Sequence, residues 1–110
     1  MGADSCTIYY GVRLSFGEED LEAFEERTHP VIRKCREFGL HFWWGKDPGN
    51  DERWFVMIGS SIGSMGLEEK LVLEVPQAVL AEKIATTTEK LRRAGFTEIP
   101  GLQAVYGPDF

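Results

Sequence analysis

Tyr9, Arg13, His41 and Trp43 are the residues of this 110-residue chain whose types and spacing could serve one chemical purpose. Tyr9 and Arg13 stand four apart in one alternating run, and His41 and Trp43 two apart in another. If both runs are strands, each pair lies on one side of its pleat. A tyrosine hydroxyl can donate a hydrogen bond, an arginine can hold an anion with its planar fork, and an indole supplies an apolar wall. The imidazole is the side chain that changes charge near neutral pH. Together they could bind a small anionic ligand or move a proton on a small carboxylate. The same residues also make an apolar patch that calls for cover, and a second copy of the chain or another protein is the simplest cover. No catalytic residue is assigned from the sequence, because these groups specify no nucleophile and base in a recognisable spacing.

Other motifs carry less. Gly59, Gly63 and Gly66 punctuate the run Gly59-Ser60-Ser61-Ile62-Gly63-Ser64-Met65-Gly66, but their spacing matches neither phosphate-binding loop pattern, and Glu68 and Glu69 would repel a phosphate. A strand end followed by a flexible turn is the expectation there. Gly63-Ser64-Met65-Gly66 is one residue short of a nucleophile elbow. His29, just before Pro30, has no companion at metal-ligand spacing, so a capping role is expected and no metal or cofactor is implied. Cys6 and Cys35 lack any paired-cysteine motif and read as buried reduced thiols.

Elements able to position the four residues can be read from periodicity. Ile8, Tyr10, Val12, Leu14 and Phe16 alternate with more polar neighbours, which predicts a strand over 6–16 with that set on the core. Gly17 can cap a helix whose first turn carries Glu18, Glu19 and Asp20, with Phe16 and Leu21 as a hydrophobic staple. Leu21, Phe24, Thr28, Ile32, Cys35 and Phe38 continue its apolar stripe. Pro30 forces either a kink or two short helices meeting near His29. Gly39 suits the left-handed stop, with Leu40 folding back on Cys35.

Residues 40–45 and 53–59 predict a hairpin, with Pro48-Gly49 at the centre of a type II turn and Leu40, Phe42, Trp44 and Trp54, Val56, Ile58 as its faces. Residues 67–75 fit a strand through Leu71, Leu73 and Val75 or a helix through Leu67, Leu71 and Val75. The β-branched residues and the helix starting at Pro76 favour the strand. Leu80, Ile84, Thr87, Leu91 and Ala94 then stripe a helix to Gly95, and 102–106 form a last strand. The expected fold is a single α+β domain over 1–110: a two-layer sandwich of mainly antiparallel sheet with two helices on one face, in ferredoxin-like βαββ(β)αβ order. Such a fold leaves the other sheet face open, and Tyr9, Arg13, His41 and Trp43 are placed on it.

The formal charge of −6 argues against nucleic acid and anionic membrane as partners, and an aromatic sheet without a basic strand does not suit RNA. The surplus is local. Asp4, Glu18, Glu19, Asp20, Glu22, Glu25 and Glu26 face only Arg13 within residues 1–26, and the remainder balances. The Glu18–Glu26 stretch could attract a basic protein, although it also complements a helix dipole. Gly2 lacks the Ser or Thr that myristoylation wants at position 6, and no basic leader or long apolar run is seen, so a cytoplasmic location is expected. Association through the sheet face, as a homodimer or within a complex, is the leading functional expectation. A small-ligand site on that face stands second.

Overall fold

Alternation of the predicted kind builds β1 (Ser5–Gly17), the strand on which everything else is assembled. The computed structural model describes residues 5–47, 49–66 and 70–107. After β1 come a 3-10 turn (Glu18–Asp20), α1 (Leu21–Glu25), α2 (Pro30–Phe38), β2 (His41–Lys46), β3 (Arg53–Gly66), α3 (Gln77–Ala94) and β4 (Gly101–Gly107). The four strands form one sheet in the order β2-β3-β1-β4, antiparallel at every junction, so the architecture is α+β. Among the described residues no helix is long and apolar enough to cross a membrane.

Proline divides the first helical stretch into two short helices. His29 takes extended dihedrals before Pro30, and its Nδ1 accepts the Val31 N–H at 3.1 Å, a capping role. Its Nε2 lies 3.7 Å from Asp20 Oδ1, and its ring stacks on Phe24 at 4.3 Å. Phe24 in turn stacks on Phe16 at 4.1 Å, and Leu21 packs against the same core cluster. Both glycine stops form. Gly39 and Gly95 have φ of 70° and 90°, while the Leu40 N–H reaches Cys35 O at 2.8 Å and the Phe96 N–H reaches Leu91 O at 3.1 Å.

The core lies between one side of the sheet and the helices. Val12, Phe16, Val56 and Ile58 meet Phe24 of α1, Ile32 and Cys35 of α2, and Leu91 and Ala94 of α3, with Phe42, Trp44 and Trp54 packed around them. Cross-strand pairing explains this grouping: Val12 faces Ile58, Leu14 faces Val56, Phe42 faces Ile58 and Trp44 faces Val56. The hairpin therefore keeps the expected faces. Asp47 Oδ1 accepts the Gly49 N–H at 2.8 Å, and Asn50 Oδ1 accepts the Glu52 N–H at 2.9 Å, closing the loop with side-chain turns. The expected type II turn includes Pro48, which lies outside the described residues.

Two expectations are corrected. The glycine-rich run 59–66 is no flexible turn: it continues β3 and pairs with β1 from Gly11 back to Ser5. Pairing overrides the weak strand preference of Ser and Gly, and Ile62 is the extra residue of a bulge opposite Ile8 and Tyr9. Residues 70–75 in turn are not a strand. This segment is tied back to β3 by the Gly66 N–H on Lys70 O at 2.9 Å and by Leu73 lying against Gly63. Leu71 and Val72 stay 72% and 67% exposed, so the apolar residues that suggested a strand find no pleat to join. Leu67–Glu69, the start of that predicted element, lie outside the described residues.

One close approach shapes the sheet. Gly11 and Gly59 are directly paired, and a Cβ on either would run into backbone, the Ile58 carbonyl oxygen in one case and the Tyr10 carbonyl oxygen in the other. Backbone cannot yield as a side-chain tip can, so Gly11→Ala and Gly59→Ala should each destabilise by about 2–4 kcal/mol in denaturant melts, the scale of severe strain. Arg27, with φ of 60°, occupies the left-handed region without being glycine. Arg27→Gly should therefore gain about 1 kcal/mol in the same assay.

Candidate functional site

Pairing across β2, β3, β1 and β4 defines the sheet side away from the core. His41, Gly59, Gly11 and Gly101 form one row across all four strands. Trp43, Met57 and Arg13 form the next row on one side, and Ser61, Tyr9 and Gln103 the row on the other. The four residues singled out by sequence thus share a pleat side, in three successive rows. They do not form one cluster. Tyr9 and Arg13 stand four residues apart, roughly 13 Å along an extended strand, with the glycine row between them.

The densest contacts gather around Phe55. The Arg13 guanidinium lies 4.8 Å from its ring centroid, and Trp43 packs against it at 5.3 Å with a tilt of 57°. Asp47 Oδ2 sits 4.0 Å from an Arg13 terminal nitrogen, so the cation is held between a ring and a carboxylate. On the next strand, Arg53 Nε donates to Ser15 Oγ at 3.1 Å. Phe55 and Met57 are only 8% and 3% exposed. The Arg13 guanidinium and the Trp43 ring supply part of the cover over Phe55. A cavity of about 220 Å3 is bordered by Arg13, Phe55 and Met57 together with Gln103, Val105 and Tyr106. Phe55 pairs opposite Ser15, whereas Val105 pairs opposite Thr7, which on a flat sheet would separate them by roughly 26 Å. One small cavity borders both, so the sheet departs from flatness between them.

Tyr9 sits beside this concavity, and burial pushes its hydroxyl pKa up, so it remains a protonated donor at neutral pH. His41 belongs to a different place. It opens β2 at the sheet edge and borders a second cavity, about 360 Å3, with Ser60, Ser61, Val79, Glu82, Lys83, Thr86 and Thr87. Its grouping with Tyr9, Arg13 and Trp43 is therefore one of pleat side alone. Among the described residues no three His, Cys, Asp or Glu side chains gather to hold a metal.

Sequence reasoning passed over Phe55 and Met57, yet the signal was present: placing Trp54, Val56 and Ile58 inward sends the intervening residues outward. Gln103 and Val105 needed the pairing of β4 with β1. The second cavity depends on where α3 crosses β3, for which the run Thr86-Thr87-Thr88 was the sole hint. Glu18, Glu19, Glu22, Glu25 and Glu26 are exposed on the 3-10 turn, α1 and the residue that ends it, while Asp20 leans toward His29. Comparison with protein-family models, curated proteins and solved structures finds no match.

The two thiols differ sharply. Cys35 is fully buried in the core, and burial drives its pKa up to about 11, opposed by a smaller backbone hydrogen-bond effect. Cys6 is half-buried on β1. A water-soluble thiol reagent at pH 7.5 should therefore label Cys6 in the native protein and leave Cys35 unmodified until denaturant is added. In the unfolded chain the Cys35 thiol ionises near its ordinary 9.0, while the folded state keeps its proton to about 11. The folded state then binds more protons in that window, so stability should fall as pH rises through it, and Cys35→Ala should flatten that fall.

Proposed function

We propose that this chain works by association, pairing with a second copy of itself through the concave side of its sheet. Arg13 and Trp43, packed on Phe55 beside Met57 with Tyr9 further along the same pleat side, are the observation that carries this proposal. The strand order β2-β3-β1-β4 and a core that draws side chains from all three helices support a ferredoxin-like arrangement, with helices on one face and this surface on the other.

A second copy is favoured over an unrelated partner by charge. An isologous interface sets a patch against itself, so an unbalanced charge there would repel its own image. Arg13 is paired to Asp47 on this side, whereas the acidic surplus sits on the 3-10 turn and α1, next to the core. Alternate residues of β1, Tyr9 and Arg13 among them, face this side, and a stable interface needs roughly 800 Å2 from each partner.

A ligand on the same surface fits less well. The Arg13 cation that would hold an anion is already engaged by Asp47 and Phe55, and the cavity beside it is smaller than the roughly 300 Å3 at which small-molecule pockets begin. Light scattering across a hundredfold dilution should give twice the chain mass at the upper end. Trp43→Glu and Arg13→Glu, both at solvent-reachable positions, should weaken self-association by about tenfold or more with unchanged far-UV circular dichroism. A chain-mass particle at every concentration would overturn the proposal.

A further inference from the structure

The cavity at the sheet edge has a construction that the association surface does not explain. β2 begins at His41, opposite Gly59, so β3 continues past it with Ser60 and Ser61 unaccompanied by β2. α3 crosses above this gap. Its burial rises toward its C-terminal end, where Thr87, Leu91 and Ala94 are buried, while Val79, Glu82 and Thr86 stay exposed. The result is a cleft of about 360 Å3 with a helix for one wall and a strand edge for the other. That volume lies within the range of small-molecule sites.

The groups lining it are complementary in charge and rich in hydroxyls. Lys83 Nζ reaches the Ser61 carbonyl oxygen at 3.4 Å, which anchors the ammonium at the cleft and leaves two of its three donors to serve elsewhere. Glu82, the preceding residue, adds an acceptor-only carboxylate. The Ser60 and Thr87 hydroxyls pair at 2.7 Å, and in such a pair the accepting hydroxyl keeps its own proton for a further bond. Thr86 and the His41 imidazole border the same space, and Val79 supplies an apolar patch.

The roof is held by its own hydroxyl relay. Thr88 Oγ1 donates to Ile84 O at 2.6 Å, so the Tyr10 hydroxyl at 2.8 Å is the donor to Thr88 Oγ1. Tyr10 and Ser60 are cross-strand partners, and both bond α3, which fixes the helix over the cleft.

We infer that this cleft binds a polar α-amino acid, with Lys83 holding the carboxylate, Glu82 the ammonium group, and the Ser60, Thr86 and Thr87 hydroxyls the side chain. One cation beside one anion matches a zwitterion. A phosphate or dicarboxylate would find a single lysine and be repelled by Glu82. The inference stands independently of the association surface, since Lys83 and Glu82 lie on α3, in the layer that packs against the other side of the sheet.

The test is an amide-shift titration of the full chain with L-serine and L-glutamine, alongside lactate, which lacks the ammonium group, and ethanolamine, which lacks the carboxylate. Saturable shifts confined to 41, 60–61 and 79–87 are expected for at least one amino acid. Lys83→Met and Glu82→Gln should each weaken that binding about tenfold, the scale of one charge-assisted bond, while leaving the remaining spectrum in place. Absence of saturable shifts up to 20 mM of either amino acid would overturn the inference. Lactate or ethanolamine binding as tightly, or shifts indifferent to both substitutions, would overturn it equally.

Discussion

Everything in this sheet turns on the place where Gly11 and Gly59 face each other without room for a Cβ. The pair lets the two backbones approach more closely than any other residue would allow. One half, residues 12–17 of β1 with 53–58 of β3 and all of β2, carries the core-facing Val12, Phe16, Val56 and Ile58. The other half, 5–10 with 60–66 and β4, extends beyond it. Gly101 completes the row on β4, at the point where β2 stops and β4 begins.

Both candidate sites adjoin that row. One cavity borders Gln103 and Val105 of β4 together with Arg13 and Phe55, where Phe55 and Met57 are buried. The stagger of the two halves leaves β3 past Gly59 without β2 beside it, and α3 roofs part of the gap. Two hydroxyl pairs, Tyr10 with Thr88 and Ser60 with Thr87, hold that roof. They do so at modest net gain, on the order of 1 kcal/mol each, but leaving any of the four unpaired beneath the helix would cost more.

Local signals in the chain were strong where one residue type has one physical use. Gly39 and Gly95 mark left-handed stops because other residues are strained there, Pro30 starts a helix because it cannot continue one, and the alternation from Ile8 to Phe16 has no reading but a half-buried strand. Signals failed where identity was ambiguous and a neighbour decided. Ser60 to Gly66 has little strand preference, and becomes strand because β1 offers a ladder. Leu71 to Val75 has more, and stays irregular, held to β3 by the Gly66 N–H on Lys70 O and by Leu73 against Gly63.

The amino-acid sequence by itself determined which residues could face which way: the outward parity of Tyr9, Arg13 and Trp43, the caps, the helix break and the location of the acidic surplus. Tertiary structure alone decided which outward residues meet. Trp43 and Arg13 converge on Phe55 because three strands are paired in one register. His41 parts from them, because at the edge of a staggered sheet its nearest cavity lies under α3. Parity is a property of a single strand, carried by its own covalent geometry, whereas proximity belongs to the pairing of several strands.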